Sequence, residues 1–153
     1  MHHISFRRRV AVPAGAAWVA VSDVGNYHRV APNIDHARVV SGSGAGMVRQ
    51  CSNSDGAWME HCTEWRDGES YSFEVDTQAK DYPYPFSKLM GTWSVIPVSG
   101  SECEIVMDFT FEFRSVDVER DVYPAMKEQF SGVCERLLEN WQNEIEGRAD
   151  APA

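Results

Sequence analysis

The sequence predicts an α+β domain: a curled antiparallel sheet of seven strands, with two short helices after the first strand and one long C-terminal helix gripped by the sheet. Three observations predict it. Stretches along the chain alternate apolar and polar residues with period two, most cleanly "CEIVMDFTFEF" at Cys103–Phe113. Short turn sequences ("NSDG", "DGE", "SGSE") join several of these stretches, and tight turns make neighbours antiparallel. Near the C-terminus, Met126, Phe130, Val133, Cys134, Leu137, Leu138, Trp141 and Ile145 recur at spacings of three and four, the stripe of an amphipathic helix. One helix cannot cover the broad apolar face of seven strands evenly. A sheet that curls around it leaves a cavity between the two.

The elements follow in order. "ISFRRRVAV" puts Ile4, Phe6, Val10 and Val12 on one face of a strand that Pro13 ends. "PAGAAWVAVSDV" reads as a short helix with proline at its start. "NYHRVAPNI" reads as a second helical turn stopped by Pro32. "HARVVSG" is a strand, and "SGSGAG" a flexible hairpin loop without the Lys-Ser/Thr ending of a phosphate loop. Residues 46–65 form a hairpin that turns at Asn53–Gly56. "SYSFEVD" follows, with Tyr71, Phe73 and Val75 on one face. "TQAKDYPYPFSK" breaks the rhythm as a loop, and "LMGTWSVIPV" and "CEIVMDFTFEF" complete the strands. The last helix is expected from Val122 to Glu146, with Asp121 as N-cap, Pro124 in the first turn and Gly147 as the stop.

The chain of 153 residues fits one domain, 1–148, with a frayed tail at 149–153. Its content of 43% hydrophobic residues supports a globular core rather than disorder. A net charge of −9 disfavours nucleic acid and anionic membrane as partners. The one basic cluster, Arg7-Arg8-Arg9, lies in a strand, so successive arginines point to opposite faces. Cys51, Cys62, Cys103 and Cys134 have neither CxxC nor zinc-like spacing. No apolar leader and no membrane-length apolar run is present. Free thiols in a cytoplasmic protein, with no integral membrane association, are expected. No metal and no cofactor is implied.

The hairpin carries the most informative constellation. Turned at "NSDG", it sets Arg49 opposite Glu60, on the face that also holds Met47, Cys51, Trp58 and Cys62. Alternation does not say whether that face is inside. An exposed pair of this kind is an ordinary surface ion pair, whereas a buried one is a polar pair in an apolar pocket wall. His28, His36 and His61 are isolated and read as surface or satisfied residues rather than bases. Glu60 and Glu64 share a strand face about 13 Å apart, too far for paired-carboxylate hydrolysis. "DYPYPF", Asp81–Phe86, is either a rigid surface loop or a lid that turns Tyr82, Tyr84 and Phe86 towards a ligand. Gly132 removes side-chain bulk in mid-helix and is a candidate for ligand space.

The order of elements resembles the helix-grip fold of the START-like superfamily, also known as SRPBCC. That superfamily includes polyketide cyclases and aromatases, lipid-transfer domains, the birch-pollen-allergen proteins and the abscisic-acid receptors. The resemblance covers nearly the whole chain. Locally it rests on "GMVRQCSNSDGAWMEHCTEWRDG", which has an arginine after a glycine, a "DG" turn, then a glutamate and an acidic turn. These are Arg49, Asp55-Gly56, Glu60 and Asp67-Gly68. "VAVPAGAAWVAVSDVGNYHRVAPNI" is similar to the superfamily's opening, with His28-Arg29-Val30 where many relatives carry tryptophan. In members similar to the hormone receptors the hairpin glutamate faces the ligand. Carried over, Met47, Arg49, Cys51, Trp58, Glu60 and Cys62 line the cavity, joined by Tyr71, Phe73, Tyr82, Tyr84, Phe86 and Phe130.

Two functions are then expected from such a cavity. In the first, it holds a hydrophobic small molecule (a lipid, a polyketide or an aromatic metabolite) as a carrier or sensor. In the second, the protein is a polyketide cyclase, aromatase or dehydratase, with Arg49 stabilising an enolate and Glu60 moving protons. The superfamily hosts binders, carriers and enzymes alike, so the fold does not choose between them. A clear base in a tuned environment would favour the enzyme, and only Glu60 is a candidate. Oligomeric state is not legible from these residues.

Overall fold

The computed structural model describes the backbone of residues 1–150 and the side chains of residues 1–148. Seven strands form one antiparallel sheet: β1 (His2–Val10), β2 (His36–Ser41), β3 (Val48–Asn53), β4 (Gly56–Arg66), β5 (Ser70–Val75), β6 (Phe86–Pro97) and β7 (Cys103–Phe113). Their spatial order is β1-β7-β6-β5-β4-β3-β2, so β1 and β2 are the two edges and the curled sheet stays open. Every link from β2 to β7 joins neighbouring antiparallel strands. The link from β1 to β2 must instead cross from one edge of the sheet to the other. Helix α1 (Ala14–Val21) and a short 3-10 helix (Val24–Arg29) make that crossing. Helix α1 packs on β6, β7 and the long helix α2 (Val116–Asp150), while the 3-10 helix packs on β2 and β3.

Alternation in sequence becomes inside and outside in space. In β7, Cys103, Ile105, Met107, Phe109, Phe111 and Phe113 are buried, while Glu104, Asp108 and Glu112 are more exposed. In β1, Phe6 and Val10 turn inward. Arg7 and Arg9 are exposed and pair with Glu104 and Glu102, and Arg8 reaches Glu135 on α2. The basic cluster is therefore distributed over carboxylate partners on both sides of the strand.

Helix α2 differs from its expected limits at both ends. It begins at Val116, not Val122, because Ser115 caps it: the Val118 N–H donates to Ser115 Oγ at 3.1 Å. Asp117 and Glu119 in the first turn suit the positive helix end. Pro124 lies inside the helix on an exposed position, and the Arg120 carbonyl it leaves without a helical donor belongs to an exposed residue too. Gly147 does not stop the helix, since an interior glycine costs only about 1 kcal/mol and Arg148 pairs with Glu144 across it at 2.7 Å. Residues 151–153 of the expected tail lie outside the described residues. With 35 residues, α2 is about 52 Å long at 1.5 Å per residue.

The two halves of α2 do different work. Cys134, Leu137, Leu138, Trp141 and Ile145 are fully buried against the sheet and the short helices. Val122, Met126 and Phe130 are only half-buried: they pack against the edge of the core and also line a cavity. His2 ties down the start of this half: it hydrogen-bonds to Glu119, and its ring stacks on Phe111 and packs against Tyr123.

Candidate functional site

The short helices divide the concave face of the sheet. Tyr71 donates its hydroxyl to the Val21 carbonyl at 2.7 Å, and the Trp18 ring packs edge-on against Tyr71. That end is solid core. Towards the other end the sheet and the first half of α2 enclose a cavity of about 620 Å³, within the range of small-molecule sites. Its mouth is ringed by Asn33, Asp35, Asn53, Asp55 and Tyr84, and aromatic side chains dominate its depth.

The hairpin register is as expected, Arg49 opposite Glu60 and Cys51 opposite Trp58, and the face in question is inside. Glycine makes the turn possible: Gly56 has φ of 148°, a backbone region that side chains disfavour. Arg49 has 0% of its surface exposed. One guanidinium nitrogen donates to Glu60 Oε1 at 2.5 Å and another to the Val24 carbonyl at 3.1 Å. The rings of Phe73 and Tyr27 cover the guanidinium at 4.3 and 4.7 Å. Burial is the largest single influence and works against this charge, but the charge and hydrogen bond of Glu60 together with neighbouring groups hold the Arg49 pKa above its ordinary value. Glu60 uses its second oxygen to accept the Trp58 indole N–H at 2.8 Å. The pair thus joins β3, β4 and the 3-10 helix at the cavity floor.

The structure brings together most of the expected site residues. Arg49, Trp58, Glu60, Phe73, Tyr82, Tyr84, Phe86 and Phe130 line the cavity. Met47, Cys51, Cys62 and Tyr71 are equally buried but are not on its wall, which corrects the expectation that they line the cavity. They lie on the inner face, but the core closed by the short helices takes them up. Gly132 is exposed and outside the cavity, so it opens no ligand space there. Glu64 does not share a face with Glu60. A bulge between Cys62 and Glu64 breaks the alternation, leaves Glu64 exposed and turns Trp65 inward to stack on Tyr71.

Sequence reasoning missed Tyr27, Gly91, Trp93, Phe109 and Phe111 on the wall. Gly91 leaves room for Trp93: a Cβ there would lie 2.6 Å from the indole ring. A glycine two residues before a tryptophan on one strand face was the available signal. The loop before β6 is shorter than expected, since Phe86–Lys88 already belong to the strand. Within it Tyr82 is buried in the cavity wall, while the Tyr84 hydroxyl accepts from Asn53 at 2.7 Å and donates to Asp55 at 3.0 Å. The loop is pinned to the β3–β4 turn.

Burial raises the pKa values of Tyr27, Tyr82 and Cys134, the last to about 12, so all three stay protonated. The polar atoms Arg49 Nε, Tyr82 Oη and Trp93 Nε1 are buried without a protein partner, and all three residues line the cavity.

Comparison with known proteins agrees with this architecture. The family model described as polyketide cyclase / dehydrase and lipid transport matches residues 1–146. No curated protein matches the sequence. The fold is similar to that of the di-domain ARO/CYC BexL from the BE-7585A biosynthetic pathway (TM-score 0.76, 17% identity), covering 99% of this chain and 48% of that one. This chain therefore spans about half the length of BexL. It is similar to a START superfamily protein from Mycobacterium smegmatis (TM-score 0.75, 16% identity), covering 96% and 99% of the two chains. It is also similar to the Zhui aromatase/cyclase from Streptomyces sp. R1128 (TM-score 0.70, 17% identity), covering 97% and 93%. At these identities the likeness is one of fold.

Proposed function

The chain belongs to the polyketide cyclase / dehydrase and lipid transport family, and on that footing we propose that it binds a hydrophobic small molecule in its cavity, as a carrier or sensor. One observation carries this reading: a cavity of about 620 Å³ walled mainly by aromatic and aliphatic side chains, with its deepest charges already paired to each other. Such a wall gains most from burying apolar ligand surface. The unpartnered Tyr82 hydroxyl and Trp93 N–H are donors that a ligand oxygen can satisfy after small side-chain rotations. All four cysteines are free, which suits a reducing compartment, and the proposal places the protein in the cytoplasm. Among the described residues no helix is long and apolar enough to cross a membrane.

Native mass spectrometry of the freshly purified protein tests the reading. A co-purifying small molecule, whose removal and return change the fluorescence of Trp58 and Trp93, is expected. Absence of any bound species, together with no fluorescence response to apolar probes, would overturn it.

A cyclase, aromatase or dehydratase is the second reading, favoured by the family and by the aromatase/cyclase neighbours. It requires Glu60 to exchange protons with substrate. Both Glu60 oxygens are held, one by Arg49 and one by Trp58, so binding ranks first. Conversion of a linear poly-β-ketone mimic to a cyclised product, lost in Glu60→Gln, would reverse that order.

A further inference from the structure

Charge in and around the cavity is uneven. Among the described residues, the charged side chains that line it are Asp35, Asp55, Glu60 and Arg49, three carboxylates and one guanidinium. Its charge is already balanced: two guanidinium nitrogens donate to Glu60 and to the Val24 carbonyl, and although Nε has no protein partner, the residue has no exposed surface and the rings of Phe73 and Tyr27 cover the group. Arg114, a nearby cation, is not part of the lining: its guanidinium lies 6.0 Å from the Tyr82 ring and donates to the Phe86 carbonyl. Asp35 and Asp55 are exposed at the mouth, on a chain whose net charge is −9.

We infer that the cavity selects uncharged ligands and rejects acids of the same shape, fatty acids included. This rests on the reading of the cavity as a small-molecule site and names the chemical class that it takes. A carboxylate entering here passes two aspartates, and the cation of the described lining, Arg49, is already neutralised by Glu60. It then gives up its water for an aromatic wall, and an unpaired ion buried that way is strongly disfavoured. A neutral ester, alcohol or ketone loses far less on desolvation. Its oxygen accepts from the Tyr82 hydroxyl or the Trp93 N–H, donors that otherwise stay unmet. An amine gains at the acidic mouth but finds no open carboxylate deeper in, because Glu60 is closed by Arg49 and Trp58.

The test is a calorimetric titration of the purified protein with two matched pairs: naphthoate against its methyl ester, and palmitate against hexadecanol. The pairs separate aromatic from lipid ligands. The neutral member of at least one pair is expected to bind at least tenfold more tightly than its acid. Two variants probe the cause. Asp35→Asn removes a mouth charge from an exposed side chain, and Glu60→Gln leaves the Arg49 charge unbalanced while keeping an acceptor for Trp58. Each should narrow the gap between neutral and acid, Glu60→Gln the more. Acids that bind the unaltered protein as well as their neutral partners would overturn the charge inference and leave the binding site standing. Failure of all four probes to bind would overturn the site and the inference together. If Glu60→Gln does not fold, the comparison in the unaltered protein and in Asp35→Asn still decides the matter.

Discussion

Arg49 and Glu60 are joined by a 2.5 Å hydrogen bond between two buried side chains, and the same guanidinium holds the Val24 carbonyl of the 3-10 helix. Removing Glu60 therefore does more than open a cross-strand pair. Glu60→Ala leaves a buried positive charge without its counter-ion, at a cost of about 3–5 kcal/mol. The double change Arg49→Met with Glu60→Leu should recover much of that loss, because both charges leave together. Denaturant melts of Arg49→Met, Glu60→Leu and the double variant measure the coupling. A single-variant cost under about 1 kcal/mol, the behaviour of a surface pair, would refute this account.

Trp141 tests the grip. It is 2% exposed, on the buried half of α2, with its ring 6.0 Å from that of Tyr27. The neighbouring Asn140 donates to the Val30 carbonyl at 2.9 Å, so helix and crossing segment are fastened at one place. Trp141→Ala should cost about 3–5 kcal/mol in denaturant melts. Phe130→Ala removes an aromatic ring from the cavity half, where the helix is only half-buried, and should cost less. Equal costs would mean that the two halves of α2 do not differ in the way their burial indicates.

Much of this was legible because sheet geometry is periodic. The "NSDG" turn fixed the pairing of Arg49 with Glu60, and alternation fixed their common face. What alternation could not supply was which part of the inner face meets empty space. Met47, Cys51, Cys62 and Tyr71 carry the same pattern as Trp58 and Phe73, yet the crossing helices turn their surroundings into core. That division depends on contacts between segments far apart in sequence. Glu64 was misplaced for a local reason: the bulge before it reverses the inside-outside order, and no glycine marks it. The early start of α2 was hidden by Pro124, whose usual place is the first helical turn, although Ser115 was available as a cap.

Stability should fall in alkali. Burial is the leading cause that raises the pKa values of Tyr27, Tyr71, Tyr82, Cys51 and Cys134 in the folded protein. Their ordinary values are 9.0 for cysteine and 10.0 for tyrosine. Below about pH 8 these groups are protonated in both folded and unfolded chains, and their contribution is constant. As pH rises through 9 to 10, the unfolded chain releases protons first and is favoured. Each such group then lowers stability by about 1.4 kcal/mol per pH unit until it ionises in the folded state too. Urea midpoints should fall steadily above about pH 9. A flat profile to about pH 11 would show that these side chains are not held protonated by burial.

The last prediction concerns the mouth. Tyr84 bridges Asn53 and Asp55 on the β3–β4 turn through its hydroxyl, and its ring packs edge-on against Trp58 at 5.5 Å between centroids. Next to it, Pro83 lies against Gly56, where an added Cβ would sit 3.5 Å from the proline ring. The Asp81–Pro85 segment is therefore fastened to a turn that itself forms part of the rim. We propose that this fastening is the gate. Tyr84→Phe keeps the ring and its contact with Trp58 but removes both hydrogen bonds, which together contribute about 1–3 kcal/mol to the closed arrangement. Since the ring stays in the wall, affinity should change little. Association and dissociation rates for a neutral apolar ligand should rise by a similar factor, severalfold or more, in stopped-flow tryptophan fluorescence. Amide exchange across residues 77–85 should quicken in parallel, and ligand at saturation should slow it in the unaltered protein more than in the variant. Unchanged rates with faster exchange would mean that the loop moves without controlling entry, and ligands would then have to enter elsewhere along the half-buried stretch of α2 from Val122 to Phe130.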